Sequence, residues 1–251
     1  MDIIVCIKQV PDTTTVIEID PSGKDIVRNG ITNIISPYDE FAIEEALQLK
    51  EAQGGTVTLL TLGPDSATEV IRSGLAMGAD SAIHVLHEGS PMALDSVTTA
   101  KLLAKSLAGK QFDLVLCGRQ AIDDDASQMG SLLAELLDIP QVSMIINLEI
   151  NDGVVKAKRT IEGAVQLIES RLPILLTAQK GLNEPRYPSL KGIRMAKKKP
   201  VETINASDLG VSLEPKVVLE SLSLPPARPA SQIVDNVTEL ARLLHEEIKV
   251  I

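Results

Sequence analysis

The richest group of polar side chains spans residues 118–129 and follows a short apolar run. It consists of Gly118, Arg119, Gln120, Ala121, Ile122, Asp123, Asp124, Asp125, Ala126, Ser127, Gln128 and Met129. Glycine permits a tight turn at a strand end, and the following pattern predicts a helix over about 126–138. We expect the aspartates to cap this helix, the amide groups of its first turn to bind an anion, and Arg119 to add a charge-assisted contact. The segment therefore predicts a phosphate site.

The three aspartates, Asp123–Asp125, also work against this interpretation. A capping carboxylate accepts hydrogen bonds from the same amide groups that a phosphate would use, and its negative charge repels the phosphate. At least two of the three must therefore point elsewhere, toward a ribose or a neighbouring subunit. A capped helix start that binds no ligand is the alternative.

Three further segments are placed where they can share a crevice with residues 118–129. They are Cys6-Ile7-Lys8, Ser36-Pro37-Tyr38-Asp39 and Leu62-Gly63-Pro64. Each lies at the predicted carboxyl end of a strand or at the start of a helix. Because ligands of parallel sheets bind beyond the carboxyl ends of the strands, the segments together predict one crevice, although each alone is typical of an ordinary turn.

The elements that must position these residues alternate between strand and helix. Apolar runs predict strands over 3–10, 56–62, 82–86 and 114–117. Capping residues, prolines and glycines predict helices over 38–52, from Gly63-Pro64-Asp65 to Gly78, from Ser90-Pro91 to Ala108, and over 126–138. This alternation indicates an α/β fold with a doubly wound, mostly parallel sheet.

Hairpins and a long extended segment interrupt the alternation. Turn residues predict one hairpin around Asp20-Pro21-Ser22-Gly23 and another around Asn151-Asp152-Gly153, with further strands over 165–169 and 174–177. Residues 201–230 are expected to be extended, and a helix is predicted over 232–249. Since a long extended segment is unusual in a compact monomer, we expect an α/β domain over 1–200. A C-terminal arm with a terminal helix, 201–251, would then pack on a partner subunit.

A polar loop followed by a basic cluster predicts a docking edge. The loop, Gly181–Pro188, contains Leu182, Asn183, Glu184, Pro185, Arg186 and Tyr187, and the cluster contains Lys197, Lys198 and Lys199. Leu182 would be the apolar anchor, and the lysines would steer an acidic partner. A solvated basic face without a partner is the alternative.

Composition excludes several classes of function. The 251 residues carry a net charge of −10 and only 2% aromatic side chains, which argues against binding to nucleic acid. Two cysteines exclude a disulfide scaffold and suggest a reducing compartment. Because the chain has neither an apolar run of membrane-spanning length nor a leader pattern, we expect a cytoplasmic protein that is not embedded in a membrane.

Motifs for catalysis are scarce. The glycine fingerprint of dinucleotide-binding folds, the phosphate-binding loop of NTPases and the nucleophile elbow of hydrolases do not occur. His84, His87 and His245 are scattered and make a poor zinc site. We therefore expect a carrier or binding protein without catalytic residues or a metal.

Together, these segments resemble the beta subunit of electron-transfer flavoprotein over essentially the whole chain. The resemblance is carried by Val5–Val10, Ala42–Leu49, Ala76–Asp80, Gln120–Asp125, Leu182–Tyr187 and Ala196–Lys199. It implies an adenine-nucleotide-binding type of α/β fold and a heterodimer in which the alpha subunit holds the redox-active FAD and the beta subunit binds AMP. It also implies that electrons come from acyl-CoA dehydrogenases, as in fatty acid oxidation, and pass to a membrane quinone oxidoreductase.

The resemblance assigns roles to individual positions. AMP contacts would fall on Cys6, Ser36, Pro37, Tyr38, Asp39, Leu62 and the run from Gly118 to Met129. The loop that grips the dehydrogenase would be Gly181–Tyr187, anchored by Leu182. Lys197, Lys198 and Lys199 match a cluster that is methylated in some relatives.

Two alternatives remain open. Electron-bifurcating relatives carry a second FAD in this subunit and oxidise NADH, and the segment Val5–Asp12 suits them. They usually have glycine at the position of Asp124, where a carboxylate repels a second phosphate, so AMP is favoured. A stand-alone nucleotide-sensing module of the universal-stress kind would share the sheet, but it has no need of the arm over 201–251.

Overall fold

The computed structural model describes residues 1–90, 93–228 and 230–250. The strands are β1 (Asp2–Cys6), β2 (Gln9–Pro11), β3 (Asn33–Ile35), β4 (Thr56–Gly63), β5 (Ser81–Leu86), β6 (Leu114–Gly118), β7 (Gln141–Asn151), β8 (Val154–Ile161), β9 (Ala164–Arg171), β10 (Ile174–Ala178) and β11 (Val201–Asn205). The helices are α1 (Pro37–Gln53), α2 (Thr68–Met77), α3 (Ser96–Ser106), α4 (Met129–Leu137), α5 (Leu190–Ala196) and α6 (Val237–Leu243).

A nine-stranded sheet in the order β11-β5-β4-β1-β6-β10-β7-β8-β9 forms the centre of the molecule. The strands from β11 to β7 pair in parallel, and only β8 and β9 are antiparallel. The predicted α/β fold with a mostly parallel sheet is therefore confirmed. From β1 the chain proceeds to β4 and β5 on one side and then returns to β6 on the other. The strand order thus reverses between β1 and β6, where such sheets bind ligands.

Apolar layers cover both faces of the sheet. On one face, Ile43 of α1 and Ile71 of α2 pack with Ile3 and Val5. On the other, Leu102 of α3 and Leu133 of α4 pack in a cluster that also contains Cys6. Alternate residues of β1 thus enter opposite layers, as expected for a strand buried on both faces.

The predicted strand over 3–10 is interrupted. β1 ends at Cys6, and β2 pairs with β3 in a separate small sheet. The chain leaves the central sheet after Ile7, whose amide still donates to Leu60 O of β4 at 2.9 Å, and the Lys8 amide donates instead to the Asp39 side chain. The expected hairpin around residues 20–23 is reduced to one antiparallel bridge between Ile19 and Ile26.

The third helix begins later than predicted. Its N-cap is Asp95, whose side chain accepts a hydrogen bond from the Thr98 amide, so the helix does not start at Ser90. The neighbouring Pro91 lies outside the described residues. The hairpin between β7 and β8 has the predicted turn, with positive φ at Asp152 and Gly153.

The C-terminal part differs from the expected arm at its beginning. β11 pairs in parallel with β5 at one edge of the sheet, and a 3-10 turn (Ala206–Leu209) follows. Extended, irregular structure therefore begins after these residues and not at position 201. α6 is shorter than the predicted helix and continues as a π-helix over Leu244–Ile248. The division into two parts at residue 200 stays a prediction.

Among the described residues, none of the helices combines the length and hydrophobicity that a membrane span requires.

Candidate functional site

A crevice opens at the carboxyl ends of β1, β4 and β6, at the reversal of strand order. It encloses about 980 Å³ of space between atoms, part of it open to solvent. Twelve of the predicted cofactor residues line it: Cys6, Asp39, Leu62, Gly118, Arg119, Gln120, Ala121, Asp124, Ala126, Ser127, Gln128 and Met129. Six others are outside its lining: Ser36, Pro37, Tyr38, Ile122, Asp123 and Asp125. Segments far apart in the sequence thus form one crevice, as expected.

Asp39, in the first turn of α1, joins the two strands at the reversal. Its Oδ2 accepts a hydrogen bond from the Lys8 amide (2.8 Å), and its Oδ1 accepts one from the Gly118 amide (2.9 Å). Burial raises the pKa of this carboxyl to about 7, although the two amides favour the charged form. The carboxyl therefore fixes where the chain leaves β1 and β6, and with it the shape of the crevice.

Glycine at position 118 is required by close packing. A Cβ placed there would lie 2.5 Å from Oδ1 of Asp39 and 2.7 Å from the carbonyl carbon of Tyr38. Gly130, in the first turn of α4, approaches β10 in the same way, with Thr177 Cγ2 2.5 Å from a Cβ built there. These contacts hold the segment between β6 and α4 against the sheet.

The aspartates do not cap the following helix, which corrects the sequence prediction. α4 begins at Met129, its N-cap is Gln128, and no side chain caps it. Asp123 and Asp124 instead accept hydrogen bonds from Nζ of Lys8, at 2.8 and 2.9 Å. Burial opposes the charge of Lys8, but the two carboxylates outweigh it and raise the pKa of the ammonium. As expected, at least two carboxylates do not cap the helix, but their partner is Lys8 of the same chain, whereas the expected contact with a ribose or a neighbouring subunit stays a prediction.

The segment before α4 has a strained backbone. Asp125 and Ser127 adopt positive φ angles of 47° and 53°, in the left-handed region that non-glycine residues rarely occupy. The Ala126 amide donates to Asp124 Oδ1 at 3.1 Å, so one of the expected anion-binding amides is already used. Strain of this kind is found where a segment is shaped for a ligand.

Arg119 lies beside the crevice in a network of its own. Its guanidinium stacks over the Tyr38 ring, 5.3 Å from the centroid, and donates to the side chains of Gln179 and Gln120. Gln120 Oε1 also accepts a hydrogen bond from Ser127 Oγ at 2.7 Å. Arg119 is thus held in position at the crevice wall, and Tyr38 contributes indirectly although it does not line the crevice.

The sequence analysis missed one wall of the crevice, which is formed by the segment between β5 and the first turns of α3. Its residues are His87, Gly89, Leu94, Ser96, Thr99 and Leu103. Gln128 Nε2 donates to Ser96 Oγ at 2.9 Å, which links this wall to the start of α4. The order of the predicted strands could have indicated this wall, because β5 ends beside β4 at the same edge of the sheet as the crevice.

Thiols form part of the lining. Cys6 and Cys117 are register partners in β1 and β6, and both are free and buried. Within residues 1–90, 93–228 and 230–250, no group of three or more His, Cys, Asp or Glu side chains could hold a metal ion.

The predicted docking loop, Gly181–Pro188, is clamped onto α1. The Arg186 guanidinium bonds to Glu44 (2.7 Å) and Glu51, and Asn183 Nδ2 donates to Phe41 O and Glu45 Oε2. Glu44 and Glu45 are therefore buried. Asn183 and Arg186 have structural partners within the chain.

Leu182, the predicted anchor, is half-buried and packs against the apolar cluster of β1, α1 and α2, so part of its side chain is covered within the chain. Its role as an anchor stays a prediction. The exposed apolar side chains of this region come next in the sequence. Tyr187 is 95% exposed and Leu190 is 82% exposed, and Ile193 and Met195 follow on α5.

The three lysines of the cluster also differ in exposure. Lys197 and Lys198 are exposed. Lys199 turns inward, and its Nζ donates to the carbonyls of Leu75 (2.9 Å) and Ala79 at the end of α2. Burial lowers the pKa of this ammonium. Lys199 thus stabilises the C-terminus of α2, while its two neighbours remain accessible.

Comparison with known proteins identifies the family. Residues 24–209 match the model of the electron transfer flavoprotein domain. The chain is 43% identical to electron transfer flavoprotein subunit beta of Bacillus subtilis, with 100% of both chains covered. It is 37% identical to the human subunit of the same name over 97% of this chain and 96% of that one. It is also 40% identical to subunit CarD of the caffeyl-CoA reductase–Etf complex of Acetobacterium woodii, over 99% and 98%. The chain therefore belongs to the electron transfer flavoprotein family, among its beta subunits.

Proposed function

We propose that this chain binds AMP in the crevice and, with an alpha subunit that holds FAD, forms an electron-carrying heterodimer. The observation that carries the proposal is the convergence of Lys8, Arg119 and the strained segment before α4 at the reversal of strand order. The amides at the start of α4 provide hydrogen-bond donors suited to a phosphate. AMP would act structurally, by stabilising the folded state.

The proposal keeps AMP, with a second FAD and NADH oxidation as the alternative. Lys8 is shared by Asp123 and Asp124, so its one positive charge leaves this group with a net negative charge. This group repels a phosphate placed beside it. We therefore propose that the phosphate of AMP lies toward the amides at the start of α4 and not beside these carboxylates.

Dehydrogenase docking is proposed for the exposed surface next to the clamped loop. Tyr187 and Leu190 project into solvent, and Lys191 and Arg194 on α5 are also exposed. Apolar anchors among basic side chains suit an acidic partner surface. We propose that acyl-CoA dehydrogenases dock here and that a membrane quinone oxidoreductase accepts the electrons. The CarD relative, named as part of a caffeyl-CoA reductase complex, supports a partner that acts on a CoA thioester.

The test is to purify the heterodimer, denature it, and quantify the released nucleotides by chromatography. The expected result is one AMP and one FAD per heterodimer. Two FAD and no AMP would overturn the proposal and favour the bifurcating alternative.

A further inference from the structure

Helix α5 leaves most of its side chains in solvent. Of its seven residues, only Ala196 is buried. Leu190, Ile193 and Met195, which we call the apolar face of α5, are exposed by 82%, 47% and 48%. A helix of two turns is marginal by itself, and the buried side chain of this one is a single methyl group. Contacts of its backbone and of its ends must therefore hold it in place.

Gly192 places the backbone of α5 directly on α2. A Cβ at this position would clash with the carbonyl oxygen of Ala76, in the last turn of α2. The Gly192 amide donates at 3.0 Å to Oγ of Ser189, which is the N-cap of α5. The start of α5 is thus fixed by its cap and by the contact between the two backbones.

Two cations tie the C-terminal ends of the two helices together. Arg72 of α2 donates from Nη1 to the carbonyls of Ala196 (2.6 Å) and Lys199 (3.0 Å). In return, Nζ of Lys199 donates to the carbonyls of Leu75 (2.9 Å) and Ala79. The last carbonyls of a helix have no partner within it, and a positive charge is favourable there. Each segment therefore completes the end of the other, and we call Arg72 and Lys199 the α2–α5 cation pair.

We propose that the α2–α5 cation pair positions α5 for docking of the electron donor, by holding its apolar face in place without touching the partner. This role rests on the proposed function, which takes the exposed surface of α5 as the dehydrogenase-docking surface. A face that is already ordered binds without the cost of ordering it. If only a fraction of the molecules holds α5 in place, the apparent affinity falls by that fraction.

The positioning role separates Lys199 from the other two lysines of its cluster. Lys197 and Lys198 are exposed, so they would act on an acidic partner through their charge, which salt screens. Lys199 is bound to the end of α2, so its effect on docking passes through α5 and persists in salt.

The first measurement uses the heterodimer and butyryl-CoA dehydrogenase with butyryl-CoA, and follows flavin reduction against heterodimer concentration. The variants are Lys199→Met and Arg72→Met. Lys198→Met is the control, because it removes the same charge from an exposed position. For both variants of the pair we expect KM for the heterodimer to rise about tenfold at unchanged kcat. At high salt this rise should persist, whereas any rise in Lys198→Met should disappear.

The second measurement reports on α5 without a dehydrogenase. Hydrogen exchange of residues 190–199 is followed by mass spectrometry in the same heterodimers. We expect exchange about tenfold faster in both variants of the pair than in the native protein, and no change in Lys198→Met. Unchanged exchange in both variants would overturn the positioning role. Faster exchange with an unchanged KM would also overturn it, provided that Leu190→Ala raises KM.

Failure of the proposed function gives a different result. If Leu190→Ala leaves KM unchanged, or if the dehydrogenase does not reduce the native heterodimer, the proposed docking surface is wrong and the positioning role falls with it. The exchange result then still decides whether the cation pair holds α5. If neither variant of the pair folds, as judged by circular dichroism, Gly192→Ala replaces them, since its Cβ would displace α5 from α2 and leave both cations present. The same rise in KM is then required.

Discussion

The Oδ1 atom of Asp39 lies 2.9 Å from the amide nitrogen of Gly118 and accepts its hydrogen bond. Asp39 lies in the first turn of α1, and Gly118 is the last residue of β6. The other carboxylate oxygen of Asp39, Oδ2, accepts a hydrogen bond from the amide of Lys8, just beyond β1. One side chain thus connects the two strands between which the strand order reverses. The contact therefore fixes the point at which the segment after Gly118 leaves β6 and enters the crevice wall.

Replacing Gly118 with alanine should disturb this contact. The added methyl group would lie 2.5 Å from Oδ1 of Asp39 and 2.7 Å from the backbone of Tyr38, so the helix start must shift. We expect a loss of unfolding free energy of about 1–3 kcal/mol and weaker AMP binding, measured by urea denaturation and calorimetry. Gly109→Asn is the control, because Gly109 has open space and a φ of 75° that asparagine tolerates. Equal effects of the two variants would contradict the prediction.

The Asp39 carboxyl should make stability fall as pH rises toward neutrality. Its pKa is raised from 3.8 to about 7, so between these values the folded chain binds more protons than the unfolded chain. Its contribution is fully present below pH 3.8 and is lost as pH rises through 7.

The Asp39→Asn variant should remove this dependence. The asparagine cannot accept from both amides, so we expect lower stability at pH 5 but a smaller decline between pH 5 and pH 8 than in the native chain. Urea denaturation at the two pH values measures the difference, whose upper bound is about 3 kcal/mol, because the shift acts only between pH 5 and about 7 in this range. Parallel pH profiles for the two proteins would show that Asp39 does not titrate in this range.

Arg186→Ala should release the docking loop from α1 and leave Glu44 buried without its cation. The expected loss of unfolding free energy is about 1–3 kcal/mol at neutral pH. Burial raises the pKa of Glu44, but its hydrogen bonds, led by that from Arg186, outweigh this effect and lower it, so the stabilisation is present above pH 4.5 and is lost as pH falls. The deficit of the variant should therefore shrink in acid. Arg194→Ala, an exposed control on α5, should change stability by less than about 0.5 kcal/mol.

Alanine variants of Leu182 and Leu190 should distinguish a loss of stability from a loss of dehydrogenase docking. Leu182→Ala removes a side chain that packs against the core, so it should lower the melting temperature. Leu190→Ala removes a side chain that is 82% exposed, so it should leave the melting temperature unchanged and weaken dehydrogenase docking by roughly 30-fold, equivalent to burial of one leucine. Flavin reduction rates against dehydrogenase concentration measure docking. Unchanged docking in Leu190→Ala would place the contact elsewhere.

The sequence predicts the crevice well because its parts are local signals. Leu62 ends an apolar run and Gly118 directly follows another, and the rule that ligands bind at strand ends brings them together with the end of the N-terminal strand. It does not predict where the aspartates point, because Lys8 and Asp123 meet only after the sheet has formed. Nor does it predict that Glu44 is buried, because Arg186, which covers it, is far away in the sequence.

Dependence on contacts between distant segments also explains why the strand that begins at residue 201 was predicted to be part of an extended arm. Val201–Asn205 carries too few apolar residues to be recognised as a strand by itself, and only its pairing with β5 makes it one. Edge strands with polar side chains have a weak pattern, since only part of their surface is buried.

That edge strand shields the sheet from self-association. Beside it in the sheet, β5 contains Ala82, Ile83 and Val85, which are all buried. Without β11, the edge of β5 would be open and could pair with another chain. β11 is short, and its Glu202 forms an ion pair with Lys110, so the outer edge is charged. A chain cleaved before residue 201 would expose the edge of β5 and be prone to aggregate through it.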